Sequence, residues 1–282
     1  GAYKFYSDTF PDQREKTETF LLYGNADLKM MDLEVMPRIH WRHHKDEFKI
    51  NINGIWSLND HRTDVLGAQV NSLIISGWGT TSIGGEAEHE DMESSSLGDH
   101  DRGRQAVFLE HRFYPSDPIS IGLGVSAVHY SSWGWEYWPG ADMTIELTDG
   151  FNWFASFEKS FRVPTYTELY YFTPANQGNP DLKPEEAWTG ETGLRWLNHG
   201  ITADFTVFYR YSEDVIDWSR RPGDTAWQVT NIATVRTKGG EAGVTLYPES
   251  FFNAKWLSSV SIAYTYLDSD RDTQGMESKY VL

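Results

Sequence analysis

The sequence contains no cysteine, which excludes a disulfide framework and any thiolate metal centre. Basic residues are scarce: 24 Lys and Arg stand against 41 Asp and Glu, for a net charge of −17. That balance argues against a nucleic-acid binder. No apolar run comes near the ~18 residues of a membrane-crossing helix. The first ten residues, Gly1 to Phe10, lack the charged and apolar blocks of a signal peptide. None of these absences excludes a membrane protein built from strands, because alternating strands average out as hydrophilic.

What the chain has in quantity is aromatic side chains, with 12 Trp, 15 Tyr and 15 Phe. Such richness suits carbohydrate binders, repeat β proteins and membrane barrels alike. The arrangement narrows the choice. Residues 1–15 read as polar and irregular, and from Lys16 onward the pattern is strand, turn, strand, loop. Met31, Leu33, Val35, Ile39 and Trp41 fall on one face, with Asp32, Glu34, Arg38 and His40 on the other. The same period of two marks Ile119 to Ala127, Ile201 to Tyr211 and Trp256 to Tyr266. These runs are about 10 to 14 residues long, against about 5 to 6 for an ordinary strand. A tilted membrane crossing needs about 9 to 11.

Connections sort into two kinds that alternate. Short turns are expected near 27–28, 77–79, 115–117, 148–150, 198–200 and 248–250. Longer connections are expected near 51–62, 91–103, 130–137, 162–186, 213–230 and 268–277. In an up-and-down sheet this segregates short turns to one end and long loops to the other, as in a transmembrane barrel. Trp78, Phe113, Tyr114, Phe151, Trp153, Trp196, Tyr247, Phe251, Phe252 and Trp256 lie beside the short turns. They read as an aromatic girdle at a membrane–water boundary. Glu86, Glu88, Glu191, Arg195, Asp204, Arg210 and Glu241 occupy the opposite strand face, which is a lumen in a barrel and open solvent in a sandwich. The pattern predicts about 13 strands, the last beginning at Glu277, and an odd count does not close a bacterial barrel.

The segment from Phe161 to Glu185 carries a family resemblance. Phe161-Arg162-Val163-Pro164-Thr165 is followed by Glu168-Leu169-Tyr170, by Gly178-Asn179-Pro180-Asp181-Leu182-Lys183-Pro184-Glu185, and by Glu191 and Gly193. This ordered set resembles the barrel signature of TonB-dependent outer-membrane receptors. Phe10 to Thr17, Trp41-Arg42-His43-His44, His61 to Val65 and Asn152 to Ser156 resemble the cobalamin-receptor branch of gut Bacteroidetes. The resemblance covers essentially the whole chain. It implies an all-β antiparallel transmembrane β-barrel, of which residues 1–282 form a single partial domain of an expected 22-stranded barrel. The plug domain, TonB box and closing strand are not found, and the resemblance implies that they lie outside this chain.

The implied function is import of a large scarce nutrient, cobalamin or another corrinoid first, with a siderophore or a glycan as alternatives. The implied location is the bacterial outer membrane. The implied partners are membrane lipid, the TonB–ExbB–ExbD complex acting through the plug, the ligand, and a surface lipoprotein lid. A reading from another class is a soluble, aromatic-rich carbohydrate-binding β protein. No enzyme activity is expected, so the search is for a binding surface. The outer loops offer Trp133, Trp135, Tyr170, Tyr171, Phe172, Asn176, Gln177, Trp218 and Trp227, aromatic faces with amide groups that suit a large, flat ligand. The prolines and the Asn179-Pro180-Asp181 turn read as loop architecture, and Gly178 as a positive-φ position. Two acidic runs, residues 86–91 and 99–101, raise calcium, which cobalamin receptors elsewhere use to order outer loops. Their spacing matches no calcium loop, so no metal or other cofactor is assigned.

Overall fold

The structure, a computed structural model, describes residues 10–198, 200–252 and 256–279. Residues 1–9, His199 of the expected 198–200 turn, and residues 280–282 of the expected last strand lie outside the described residues. In chain order the elements are β1 (Gln13–Asn25), β2 (Leu28–Met30), β3 (Leu33–Ile52), β4 (Ile55–Ser76), β5 (Gly79–Ser94) and β6 (His100–Ser116). There follow β7 (Ile119–Tyr130), β8 (Gly134–Thr148), β9 (Phe151–Arg162), α1 (Tyr166–Tyr170), β10 (Phe172–Thr173), β11 (Asn176–Gln177) and β12 (Glu185–Asn198). The chain continues with β13 (Ile201–Arg220), β14 (Trp227–Leu246), α2 (Glu249–Phe252), β15 (Val260–Asp272) and β16 (Glu277–Ser278). All strands join one sheet, in which the long ones are antiparallel neighbours in chain order, with β1 and β15 at its edges.

Register shows which side chains share a face. Trp41 pairs with Leu66, Val107 with Ala127, Leu194 with Phe205, and Val244 with Ile262. These rows form one continuous, exposed apolar face. The opposite face carries Glu86, Glu88, Glu191, Arg195, Asp204, Arg210 and Glu241, as the alternation predicts. A soluble sandwich would bury the apolar face. Here it is laid open, with the polar side chains on the opposite face, which is the arrangement lipid imposes on a barrel. The ten steps from Ile201 to Tyr211 along β13 span about 34 Å, or about 25 Å along the membrane normal at a tilt of ~40°. That matches the apolar band of a transmembrane barrel. Trp78, Tyr114, Phe252 and Trp256 are exposed at the short-turn end, where the girdle was expected.

Strand and loop lengths differ from the expectation. Among the described residues twelve strands are long, and the strand predicted from Glu277 is the two-residue β16, which pairs with β13 instead of extending the series. β1 begins at Gln13, inside the segment read as irregular, and Met31 sits in a turn at φ 47°. The connection expected over 51–62 is a two-residue turn, Asn53-Gly54, with φ of 53° and 88°, the positive values a tight hairpin requires. The connections at 95–99, 131–133, 221–226 and 273–276 shrink likewise, and 163–184 alone stays long. At the other end, 247–259 is longer than the predicted turn because it holds α2. The reason is that hydropathy alternation ends with the lipid, whereas the hydrogen-bond ladder does not. Beyond Trp41, β3 continues through polar pairs such as Lys45 Nζ–Asp60 Oδ2 at 3.3 Å and Thr19 Oγ1 with His44 Nδ1 at 2.8 Å.

Buried apolar side chains are few, and two small clusters gather at the long-loop end. One is Leu169, Leu182, Ile216 and Val229; the other is Ala106, Val128 and Tyr130. Trp133 packs against both. The molecule has its tightest packing at the mouth.

Candidate functional site

The loop 163–184 folds back across the mouth. It begins with Pro164, which is fully buried, and with Thr165, the N-cap of α1. Thr165 Oγ1 accepts from the Glu168 amide, and the Glu168 carboxylate accepts from the Thr165 amide at 2.7 Å. This capping box satisfies two orphan donors of a helix too short to stand alone. Its pattern, Thr-x-x-Glu, is present in the sequence and is the signal by which the helix, read there as part of a loop, could have been found. Asp181 N donates to Asn179 Oδ1 at 3.0 Å, the expected Asx turn. Gly178 needs a different account from the one expected. Its φ is not positive; a Cβ there would lie 2.9 Å from the Leu169 carbonyl carbon and oxygen, so close backbone approach to α1 demands glycine.

Side chains from four strands and from the 131–133 turn hold the loop. His100 stacks on Tyr170 with ring centroids 3.5 Å apart. The Arg102 guanidinium lies 4.5 Å from the Tyr166 ring and 5.1 Å from Trp133, and Arg102 Nη2 donates to the Pro164 carbonyl at 3.0 Å. Trp133 Nε1 donates to the Leu182 carbonyl at 3.0 Å. Asn231 accepts from the Lys183 amide and donates to the Lys183 and Asp214 carbonyls. Arg162 reaches both Glu168 and Glu185, and Glu185 Oε1 accepts from the Ile216 amide at 2.8 Å.

Electrostatics follow this packing. Burial, then the Glu90 carboxylate, holds the Tyr166 phenol well above its ordinary range, so it stays a neutral donor. Burial pushes the Glu168 carboxyl up, but the Arg162 guanidinium and the Thr165 amide outweigh it and leave Glu168 below the ordinary value. A carboxylate depressed in the folded state contributes stability that is present above its unfolded pKa and lost as pH falls through the folded one. The loop is therefore expected to loosen as pH falls below the ordinary glutamate range. Cleavage of residues 163–184 by an acid-active protease should rise on acidification in the natural protein. The Glu168→Gln variant, already loosened at neutral pH, should show little further change.

The candidate contacts divide. Asn176 and Gln177, on β11, pair in parallel with Trp227 and Gln228 at the outer end of β14. Tyr171 meets Trp218 edge-on at 6.3 Å. Arg220 lies 4.4 Å from the Trp227 ring, and Lys279 Nζ lies 5.7 Å from Trp218 and 5.9 Å from Trp227. Tyr171, Asn176, Gln177, Trp218 and Trp227 thus converge. Phe172 projects beside them, 71% exposed. Trp133 and Tyr170 are engaged in anchoring the loop. Trp135 is remote: it pairs with His129 on the outward face. Sequence reasoning missed Arg102, Arg220, Asn231 and Lys279, because each acts across strands and none stands in a motif, and it met His100 only as a member of the acidic run 99–101. The acidic run 86–91 is split by the pleat, with Glu86, Glu88 and Glu90 inward and His89 and Asp91 outward. Among the described residues no group of three or more His, Asp or Glu is placed to hold a metal ion.

Known proteins agree with this architecture. A vitamin B12 transporter BtuB of Vibrio vulnificus is 32% identical over 97 residues, covering 34% of this chain and 15% of that protein. A probable TonB-dependent siderophore receptor PirA of Acinetobacter baumannii is 22% identical over 231 residues, covering 66% of this chain and 29% of the relative. Among solved structures, the siderophore receptor PirA from Acinetobacter baumannii superposes with a TM-score of 0.72 at 15% identity, over 90% of this chain and 44% of that one. The copper transporter OprC does so at 0.71 and 14%, over 92% and 47%. The chain therefore spans less than half the length of each. The family model for the TonB dependent receptor-like β-barrel matches residues 3–280. The soluble carbohydrate-binding reading is set aside on this match and on the open apolar face. The chain belongs to the TonB-dependent receptor β-barrel family, and it is part of an outer-membrane barrel.

Proposed function

We propose that the full-length protein is an energised outer-membrane importer whose mouth takes a large, flat nutrient of the corrinoid class. The observation that carries this reading is the convergence of Tyr171, Trp218 and Trp227 with the amides of Asn176 and Gln177 at one side of the mouth. Aromatic faces supply contact area at little entropic cost, and a few amides set orientation. The relative named as a vitamin B12 transporter supports the choice of ligand. Import moves the ligand without making or breaking its bonds, so no residue is given a catalytic role. No cofactor is assigned, and calcium finds no support in the spacing of the acidic runs. TonB–ExbB–ExbD would supply the work through a plug, membrane lipid would surround the apolar face, and a surface lipoprotein would cover the mouth.

A second reading, a siderophore, is favoured by the longer match to a siderophore receptor and by the cations set against Trp227, Lys279 and Arg220, the latter already paired with Glu277 at 2.6 Å. Cations on an aromatic floor suit an anionic chelate. Calorimetry on the full-length receptor separates the two. A saturable isotherm with cyanocobalamin is expected. No heat with it, together with a clear isotherm for a ferric siderophore, would move the assignment.

A further inference from the structure

The outer ends of β13 and β14 do not keep the neighbours they have in the membrane. Pairing of β12 with β13 ends at Glu186 and Glu213, and pairing of β15 with β14 ends at Asp272 and Thr234. There β13 bulges, with the register shifting between Ser212 and Val215 and with Asp214 at φ 51°. Beyond the bulge β16 takes the edge that β12 has left, pairing Ser278 with Ser219 and Glu277 with Arg220. β11 takes the edge that β15 has left, pairing Asn176 with Trp227. The segment after β15 therefore crosses to the β12 side, and the loop before β12 crosses to the β15 side. The two meet at Lys279, whose Nζ lies 3.3 Å from Asn176 Oδ1.

This crossing fixes a cation on an aromatic surface. The Lys279 amide donates to the Trp218 carbonyl at 2.9 Å. One residue back, Ser278 Oγ donates to the buried Asp217 carboxylate, whose other oxygen accepts from the Trp218 amide at 2.7 Å. With its backbone held in this way, Lys279 carries its Nζ to 5.7 Å from the Trp218 ring and 5.9 Å from the Trp227 ring. The ring faces attract the ammonium. A flat nutrient that lies against either indole thus brings its edge to that ammonium. Arg220 also lies against Trp227, but its Nε is engaged by Glu277 Oε2 at 2.6 Å, so it serves the floor. An ammonium is a compact point charge with three donors, and the group that complements it at the edge of a flat ligand is a phosphate or another oxyanion.

Resting on the corrinoid reading above, we propose that the Lys279 ammonium meets the phosphodiester of the corrinoid's nucleotide arm and makes the mouth prefer complete corrinoids to those that lack the arm. The flat ring stacks on Trp218 and Trp227 in either case, so the indoles supply affinity and the lysine sets the preference. The anion of a ferric chelate would present the same charge to the same atom, and a siderophore titration separates the two sources.

Calorimetry on the detergent-solubilised full-length receptor, with cyanocobalamin, dicyanocobinamide and a ferric siderophore as titrants, tests this. Dicyanocobinamide keeps the corrin ring and lacks the phosphodiester. The natural protein should bind cyanocobalamin about tenfold more tightly than dicyanocobinamide, the scale of one charge-assisted hydrogen bond, and raised salt should shrink that preference. Lys279→Gln keeps the main-chain bond to Trp218 and should lower cyanocobalamin affinity about tenfold, with dicyanocobinamide affinity unchanged. Lys279→Arg should retain most of the preference, and Trp227→Ala should weaken both corrinoids alike. Heat-modifiable migration checks that each variant barrel is folded. Equal affinity of the natural protein for the two corrinoids, or equal losses of both in Lys279→Gln, would overturn the proposal and leave the corrinoid reading standing. Binding of the siderophore alone, or of neither corrinoid, would remove that reading and the proposal with it.

Discussion

Replacing Gly193 by alanine is expected to cost about 3 kcal/mol, the upper end of the overpacking range. Gly193 lies on the inner face of β12, where the Phe154 ring lies across it. A Cβ would sit 2.6 Å from Phe154 Cζ and press on the Phe205 backbone carbonyl as well. The ring has no free retreat, since the Arg195 guanidinium packs over it with its carbon 5.5 Å from the centroid. Neither β-sheet backbone nor a sandwiched aromatic ring can yield cheaply. Urea titration of the full-length barrel in lipid vesicles, read by heat-modifiable migration, should show the midpoint falling sharply. Gly240→Ala is the matched control: it adds the same methyl in the same kind of strand, but into open space, and should change stability by no more than about 0.5 kcal/mol. Equal midpoints for the two variants would sink the account.

The second large effect is expected at Arg162. Its Nε and Nη2 donate to Glu185 at 2.9 and 2.6 Å, and its Nη1 and Nη2 donate to Glu168 at 2.9 and 3.1 Å. Both carboxylates have further duties, Glu168 at the N-cap of α1 and Glu185 at the Ile216 amide. Their side chains are only 17% and 21% exposed, so Arg162→Ala leaves two carboxylates facing each other with little water to screen them. Because Arg162 itself is 42% exposed, a loss near the lower end for charge-assisted bonds is expected, about 2 kcal/mol. That corresponds to about a 30-fold rise in the opened loop, measurable as lost hydrogen-exchange protection at the Leu169 and Asn179 amides, which donate to Thr165 and Glu168. Arg162→Lys keeps the charge but lacks the planar fork that spans both partners, and should recover only part of the protection. Unchanged protection in Arg162→Ala would show that the apolar cluster alone holds the loop.

Much of the barrel was legible in advance because a pleated strand writes its two faces into alternate residues. Ile119 to Ala127 and Ile201 to Tyr211 were placed correctly from that rule, and so were the inward Glu191, Arg195 and Asp204. The rule fails where lipid no longer imposes it. At 51–62 the alternation lapses, a loop is the natural reading, and the strands nevertheless run on to the Asn53-Gly54 turn. At the candidate mouth the sequence shows composition, and the contacts between its residues appear only in the fold. Trp133 and Tyr170, read in sequence as candidate contacts, anchor the loop in the fold, because a tryptophan N–H or a tyrosine ring finds its partner far along the chain.

The sequence by itself determined that the chain is an antiparallel barrel sheet, which side of each strand meets lipid, and where the loop of the family signature begins and ends. Those are consequences of local periodicity and turn chemistry, read within a few residues. Only the tertiary structure decided how far the strands project past the membrane. It also decided that residues 163–184 fold over the mouth, held by His100, Arg102, Arg162 and Asn231, and that Tyr171, Asn176, Trp218 and Trp227 meet. These depend on stacking, ion pairs, hydrogen bonds and parallel pairing between residues up to 103 positions apart, as Lys279 is from Asn176. Such contacts gain their energy from proximity in space, which no local pattern encodes.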